Sequence, residues 1–396
     1  MEPHNQRNLA IDIFRGLTMA LMIAVNDVWT VNGVPHWIEH FATMEDGMGL
    51  SDIVYPMFLF AMGMSVPLAL DRRAQKGYSA ESTLWHILKR TFALLVMGVF
   101  IVNAEWDVSS TVGYGKGFYW MFMVIGFFLV WNNYKQDSKW KTPLKATGIA
   151  ILLFLAVTFR SPDGGLFQAH WWGILGQIGW MYLFCAIAYL LCRGGKEWVL
   201  AAIWGILCAV NLISAPMRGG STLLAHNFIS DFANALHLGN GHSTIMALGG
   251  MLTVLAERRM EQTPSGRKVA AALCISASLA VIGLATHRGW IISKNLGTLP
   301  WCMFVSAISV AWYAILRVLE KHNLTGWFKP LRPTGTATLT VYMIPYFMYV
   351  LYWFVFKLTP PEWLGGYLGF GKCILYSALC IAVAWLLEKL HIKLKI

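Results

Sequence analysis

The sequence predicts an all-α, polytopic transmembrane helix bundle with short loops, and three observations carry that prediction. Hydrophobic residues make up 57% of the 396 residues and charged residues 13%, with a mean hydropathy of +0.54, far from the balance of a soluble globular chain. The apolar residues gather in about twelve runs, each near the roughly 20 residues that a bilayer-spanning helix needs. Basic residues also divide unequally between the connections. With both termini in the cytoplasm, one set of loops holds 24 Lys and Arg and the other holds seven, as the positive-inside rule requires.

The elements follow in order. The first run, roughly 16–32, carries Asn26 and Asp27 and lacks a cleavage site of small residues, so it reads as a retained span and not a signal peptide. The second, 51–70, opens on Asp52 and ends before the inner pair Arg72 and Arg73. Lys89 and Arg90 stand at the inner mouth of the third, 88–104, and Lys116 at the outer mouth of the fourth, 117–133. Inner Lys139 precedes a short fifth run, 146–159, which ends at outer Arg160. The sixth and seventh occupy 171–192 and 197–214. A short eighth, 242–256, ends at inner Arg258 and Arg259. The ninth, 268–286, and tenth, 297–318, flank outer Arg288 and Lys294. Lys329 lies inside before the eleventh, 336–357, and the twelfth, 370–388, leads to inner Lys393. Because the fifth and eighth are short, eleven spans is the alternative count. The chain, 1–396, reads as a single membrane-embedded domain.

Composition also limits the partners. The net charge of +11 is accounted for by inner loops facing anionic lipid headgroups and needs no nucleic acid. The seven cysteines lie in or beside apolar runs without ligand spacing, so neither a disulfide framework nor a metal site is expected. No phosphate loop, metal-binding His pair or hydrolase elbow occurs. Internal duplication, a mark of many secondary transporters, is not evident. Most tryptophans fall near span ends, as interfacial residues do.

The longer loops, 33–50, 160–170 and 215–241, all fall on the outer side with His36, His40, His170, His226, His237 and His242 in them or at their edges. Ionisable groups at a span mouth pair, line a cavity or do chemistry. His40, flanked by Glu39 and close in sequence to Asp52, is therefore the leading candidate for a general base, with Asp52 orienting it. Asn26 belongs at the outer end of the first span, where it serves either the site or a neighbouring helix. Lys294 and Asn295 stand at another outer span entrance, fit either to snorkel or to bind a carbonyl, hydroxyl or carboxylate. His242 opens the eighth run behind Gly239-Asn240-Gly241. Asp12 and Arg15, three residues apart, share a helix face and can pair.

Together these segments resemble the heparan-α-glucosaminide N-acetyltransferase family and its bacterial relatives. The resemblance rests on Asp12, Phe14, Arg15, Gly16 and Asn26, then His40, Gly47, Asp52, Val54, Pro56, Phe58, Phe60, Met62, Gly63 and Ser65. Trp172 to Gly179, Lys294 to Thr298, Thr338 to Tyr342 and the terminal Ile392 to Ile396 are similar to later family segments. Glu45-Asp46 stands where the family has Trp-Asn, and His237 to Asn240 where it has Asp-Pro-Glu-Gly.

The resemblance implies a transmembrane acetyltransferase that takes acetyl-CoA as co-substrate from the cytoplasm. It would pass the acetyl group to the amine of glucosamine, a related amino sugar or a glycan outside a bacterial inner membrane. By the same resemblance His40 is general base or acetyl carrier, Asn26 and Asp52 complete the catalytic set, and a homodimer is the implied assembly. Lys294, Asn295, His242 and Glu39 would bind the acceptor. CoA is polyanionic, so Arg15, Arg72, Arg73, Lys89 and Arg90 would hold its phosphates. An amino-sugar permease and an O-acyltransferase acting on a surface glycan are the alternative readings.

Overall fold

The computed structural model describes residues 8–105, 114–135, 137–224, 228, 231, 241–358, 361 and 363–396, and each of the twelve apolar runs falls on a helix. They are α1 (Leu9–Asn26), α2 (Leu50–Gln75), α3 (Ala80–Glu105), α4 (Gly115–Trp131), α5 (Lys141–Thr158) and α6 (Ile174–Cys192). They continue as α7 (Glu197–Ser214), α8 (His242–Arg259), α9 (Ser265–His287), α10 (Leu299–Lys321), α11 (Thr338–Tyr349) and α12 (Gly366–Lys389). Among the described residues there is no strand, only an isolated bridge between Asn132 and Leu394.

Ten of the described segments are long and apolar enough to cross a membrane. The other two runs are helical too. The α4 helix is apolar but stops at 17 residues, and the 18 residues of α8 include Glu257, Arg258 and Arg259.

Local chemistry explains where the helix ends depart from the hydropathy runs. The first helix starts at Leu9 and not near residue 16 because Asn8 Oδ1 accepts the Ile11 N–H at 3.1 Å, an N-cap. Beyond residue 70, α2 continues to Gln75, and its last turn carries Arg72 and Arg73, charges that suit a helix C-terminus. That extra turn is tied by Asp71, which accepts from Arg258 Nη1 at 2.6 Å and from the Tyr189 hydroxyl at 2.8 Å. The α11 helix, which runs through Pro345, widens into a π-helical turn over Val350–Val355.

The chain divides into two compact units: residues 1–18, 36–87 and 181–336, and residues 19–35, 88–180 and 337–396. The first unit is organised by a close crossing of α2 and α8. Gly63 lies against the backbone of Ala247, and Gly250 against the backbone of Phe60. A methyl group at either glycine would strike main chain, so small residues set this helix pair as they do in membrane interiors. Phe14, Phe60, Met64, Val310 and Leu316 fill the core beside that crossing.

The second unit uses the same device twice. Gly98 of α3 lies against the backbone of Gly176 of α6, and Gly126 of α4 against Gly148 of α5. Its C-terminal segment hooks onto the end of α4, with Asn133 N–H donating to Lys393 O and Lys395 N–H to Trp131 O, both at 2.9 Å. Asp27, fully buried, accepts from Lys372 Nζ at 2.6 Å and from the Tyr349 hydroxyl at 2.9 Å.

Candidate active site

In the first unit the segment 36–49 folds back on the start of α2. Leu50 N–H donates to Trp37 O at 2.8 Å and Ser51 N–H to Ile38 O at 3.1 Å. Gly49 is the N-cap of α2, and any side chain there would run into the Glu39 carbonyl. Its carbonyl accepts the Asp52 N–H, and the Asp52 carboxylate accepts the Gly49 N–H in return, at 3.0 and 3.1 Å. Asp52 is thus fixed as part of the helix start before it touches any other functional group.

Asp52 then reaches His40. Oδ1 lies 2.7 Å from His40 Nδ1, while Oδ2 accepts the Phe41 and Gly49 N–H groups, each at 3.1 Å. The Trp301 indole donates to the Asp52 carbonyl at 3.2 Å and holds the helix turn from the side. The carboxylate accepts and cannot donate while ionised, so this geometry assigns the Nδ1 proton to the histidine and leaves the Nε2 lone pair open. The Asp52 side chain is 3% exposed and that of His40 50% exposed, so the acid orients the ring from within and the ring stays accessible.

Lys294 completes the cluster from the turn between α9 and α10. Its Nζ is 3.1 Å from His40 Nδ1 and 3.7 Å from Asp52 Oδ1. Burial pulls the Lys294 ammonium below its ordinary value, opposed by the attraction of Asp52. The turn is shaped by Gly297, whose φ of +59° suits glycine and whose missing side chain leaves room for the ring of His242. Thr298 Oγ1 accepts the Ser293 N–H at 3.1 Å, and Ser293 Oγ donates to Thr43 O at 2.9 Å. Asn295 Nδ2 points to Thr43 Oγ1 at 3.3 Å, so Lys294 and Asn295 both face the segment that carries His40.

Glu45 and Asp46 anchor this arrangement. Asp46 accepts the Ile292 N–H at 2.8 Å and pairs with His287 at 2.9 Å and with Arg218. Burial alone would raise its carboxyl, but the Ile292 amide, His287 and Arg218 together hold it below its ordinary value. Glu45 is lowered by the Ala42 amide and then by His36, whose Nε2 lies 2.6 Å away.

The remaining expected site residues are placed as follows. Glu39 is half-buried and its N–H donates to His36 O. The His242 ring meets Trp301 edge-on at 5.8 Å, and its buried Nδ1 has no hydrogen-bond partner among the described residues. Asn26 belongs to the second unit, at the end of α1, and is exposed. Arg15 pairs with Asp12 at 2.8 Å and donates to the Gly335 carbonyl. Arg72 and Arg73 close α2, where Arg73 donates to Ser82 and covers the Tyr78 ring at 4.3 Å. Lys89 and Arg90 lie on the part of α3 in the second unit. His226, His237 and Asn240 lie outside the described residues.

Sequence reasoning missed Asp46, Trp301 and the Asp27–Lys372 pair. The available signals were Asp27, inside the first apolar run, and Lys372, at the outer start of the last.

A histidine oriented by a buried carboxylate at the mouth of an apolar helix marks this multi-pass membrane bundle as one with an ionisable, chemically competent site. Residues 7–230 match the family described as a domain of unknown function, DUF5009, and the chain belongs to that family. It is also a distant homologue of heparan-alpha-glucosaminide N-acetyltransferase. The mouse protein of that name is 25% identical over 384 residues, covering 86% of this chain and 54% of its own length. The human protein is 34% identical over 97 residues, 24% of this chain and 14% of its own. The chain therefore spans about half the length of the mouse relative.

Proposed function

We propose that this protein is a transmembrane acetyltransferase. In this reading it moves the acetyl group of cytoplasmic acetyl-CoA to the amine of glucosamine, or a related amino sugar, on the periplasmic side of a bacterial inner membrane, with both termini in the cytoplasm. The observation that carries the reading is the 2.7 Å contact between His40 Nδ1 and Asp52, in a chain homologous to an N-acetyltransferase.

The chemistry follows from that contact. Asp52 holds the imidazole in the tautomer whose Nε2 can take a proton, and its negative charge stabilises the imidazolium that forms. As the acceptor amine attacks the thioester carbonyl, Nε2 removes the amine proton, the N–C bond forms and the C–S bond breaks. The proton then leaves with the CoA sulfur. Lys294 supplies a partly desolvated positive charge beside the pair, suited to the oxygen that gains charge at the carbonyl. Direct transfer is the simpler scheme, because binding thioester and amine together gains from proximity.

Purified protein in detergent, given acetyl-CoA and glucosamine, should release CoA and form N-acetylglucosamine in equal amounts, and His40→Ala should abolish both. Release of one equivalent of CoA from acetyl-CoA alone would replace direct transfer by an acetyl-histidine scheme. An ester product on a glycan would favour O-acylation. Glucosamine uptake into vesicles without acetyl-CoA, and no transfer, would make the protein a permease.

A further inference from the structure

Cationic side chains near helix ends are used differently in the two units. In the first unit Arg258 pairs with Asp71 at 2.6 Å, and Arg259 with Glu197 and Arg317 with Glu257 at 2.7 Å each. In the second, Lys135, Lys139, Lys141, Lys145 and Lys395 make no ion pair or side-chain hydrogen bond to a described residue. Between residues 132 and 148 Asp137 is the one acid, and residues 389–396 contain none.

Local structure gathers these lysines at one end of the α4–α5 pair. Lys135 and Lys139 stand exposed in the turn that joins the two helices. Lys141 and Lys145, four residues apart at the start of α5, are in register with Gly148, the glycine that packs on α4. They therefore lie on the side of α5 that faces the end of α4. The C-terminal hook reaches that same end. Lys393 N–H donates to Asn132 Oδ1 and Leu394 N–H to Thr340 Oγ1, both at 2.9 Å. Leu394 is buried at its bridge with Asn132, so the alternation of an extended segment turns Lys395 outward.

The surroundings point to lipid as the source of the missing anions. The apolar stretch of α5 begins at Ala146, so the lysines stand at the depth of the headgroups. Trp140, between two of them, is 70% exposed, and an indole at a span end favours the membrane interface. Within α5 only Gly148, Leu152 and Leu155 are buried, which leaves most of the helix open to acyl chains. Lysine carries a compact charge on a flexible apolar stem and can follow a mobile phosphate. Basic segments beside a span are drawn to anionic leaflets for these reasons.

We propose that the α4–α5 turn, the start of α5 and the C-terminal hook form a basic rim that binds the phosphodiester headgroups of anionic phospholipids, with Trp140 anchored at the interface. The rim is separate from the His40 site and holds whatever acceptor that site uses.

Full-length protein in non-ionic detergent, loaded with a fluorescent phosphatidylglycerol, tests it by competition. Short-chain phosphatidylglycerol should displace the probe at a concentration at least about tenfold lower than phosphatidylcholine of the same chain length. At about 1 M salt, where the screening length falls to about 3 Å, that preference should shrink. The combined change Lys139→Gln, Lys141→Gln and Lys145→Gln should abolish it, and arginine at the same positions should retain it. Lys321→Gln, at an exposed lysine closing α10, should leave it unchanged.

Equal displacement by the two lipids overturns the proposal, as does an undiminished preference in the triple glutamine variant. A loss in Lys321→Gln as large as in that variant would replace the rim by the diffuse charge of the whole protein. Inorganic phosphate or acetyl-CoA displacing the probe as effectively as phosphatidylglycerol would make the rim a site for soluble phosphates and not for lipid.

Discussion

His40–Asp52 and Asp27–Lys372 each place a carboxylate at the end of a membrane helix, and they use it in opposite ways. Asp27 is fully buried with both oxygens paired, to Lys372 and Tyr349, and Lys372 also donates to Thr30. All the polar contacts close on one another, so the cluster positions side chains and offers nothing to a reactant. Asp52 is nearly as buried, yet one oxygen faces main-chain amides and the other a histidine whose side chain is half exposed. Its contacts end on an open nitrogen. A buried carboxylate is therefore a poor indicator of a site by itself, and where its hydrogen-bond chain ends decides between scaffold and chemistry.

Substitutions should separate the two. His40→Ala is expected to cut kcat/KM by about 10²–10⁴, the usual share of a general base, while the melting temperature stays near wild type because the side chain is half exposed. Asp27→Ala should do the reverse. Leaving Lys372, whose side chain is 20% exposed, without its carboxylate partner costs up to about 3–5 kcal/mol, read as a lowered melting temperature in detergent. Adding Lys372→Met should recover much of that loss, since no unpaired charge then remains. If Asp27→Ala melts like wild type, the cluster is not scaffold and the contrast with Asp52 fails.

The sequence carried the fold well, because spanning helices are legible as apolar length. His40 and Asp52 were legible for a related reason: charged groups at a helix mouth stand out against the apolar runs beside them. Lys294 and Asn295 were visible as a polar pair at a span entrance, although their approach to His40 joins residues 254 positions apart. Asp46 was not legible, because its partners Arg218 and His287 lie 172 and 241 positions away. Nothing near it in sequence distinguishes it from an ordinary solvated loop acid. The Asp27–Lys372 pair spans 345 positions, so its lysine reads locally as one more outer-loop base.

Lys294 sharpens the comparison at intermediate magnitude. Lys294→Met removes the positive charge near the developing oxyanion but leaves the His40–Asp52 contact, so kcat should fall about tenfold or more with little change in stability. Because the Lys294 ammonium is held below its ordinary value, it loses its proton sooner than a free lysine as pH rises. Activity on the alkaline side should decline earlier in wild type than in Lys294→Arg, whose charge persists.

Asp46 carries the smallest expected effect and tests whether the active-site segment is held from outside. Its carboxyl lies below its ordinary value, so the folded chain binds fewer protons there than the unfolded chain. The resulting stabilisation is present above the ordinary carboxylate value and is lost as pH falls through the folded one. Because Asp46 is partly exposed, its pairs with Arg218 and His287 contribute about 0.5–1 kcal/mol. Asp46→Asn should therefore melt slightly below wild type at pH 7 and converge with it in acid. Hydrogen exchange over residues 288–298 should rise in the variant at pH 7, because the Ile292 N–H is held by the carboxylate at 2.8 Å. Unchanged exchange there would mean that the turn bearing Lys294 keeps its shape through Ser293, Gly297 and Thr298 alone, and that Asp46 belongs with the solvated loop acids its sequence suggests.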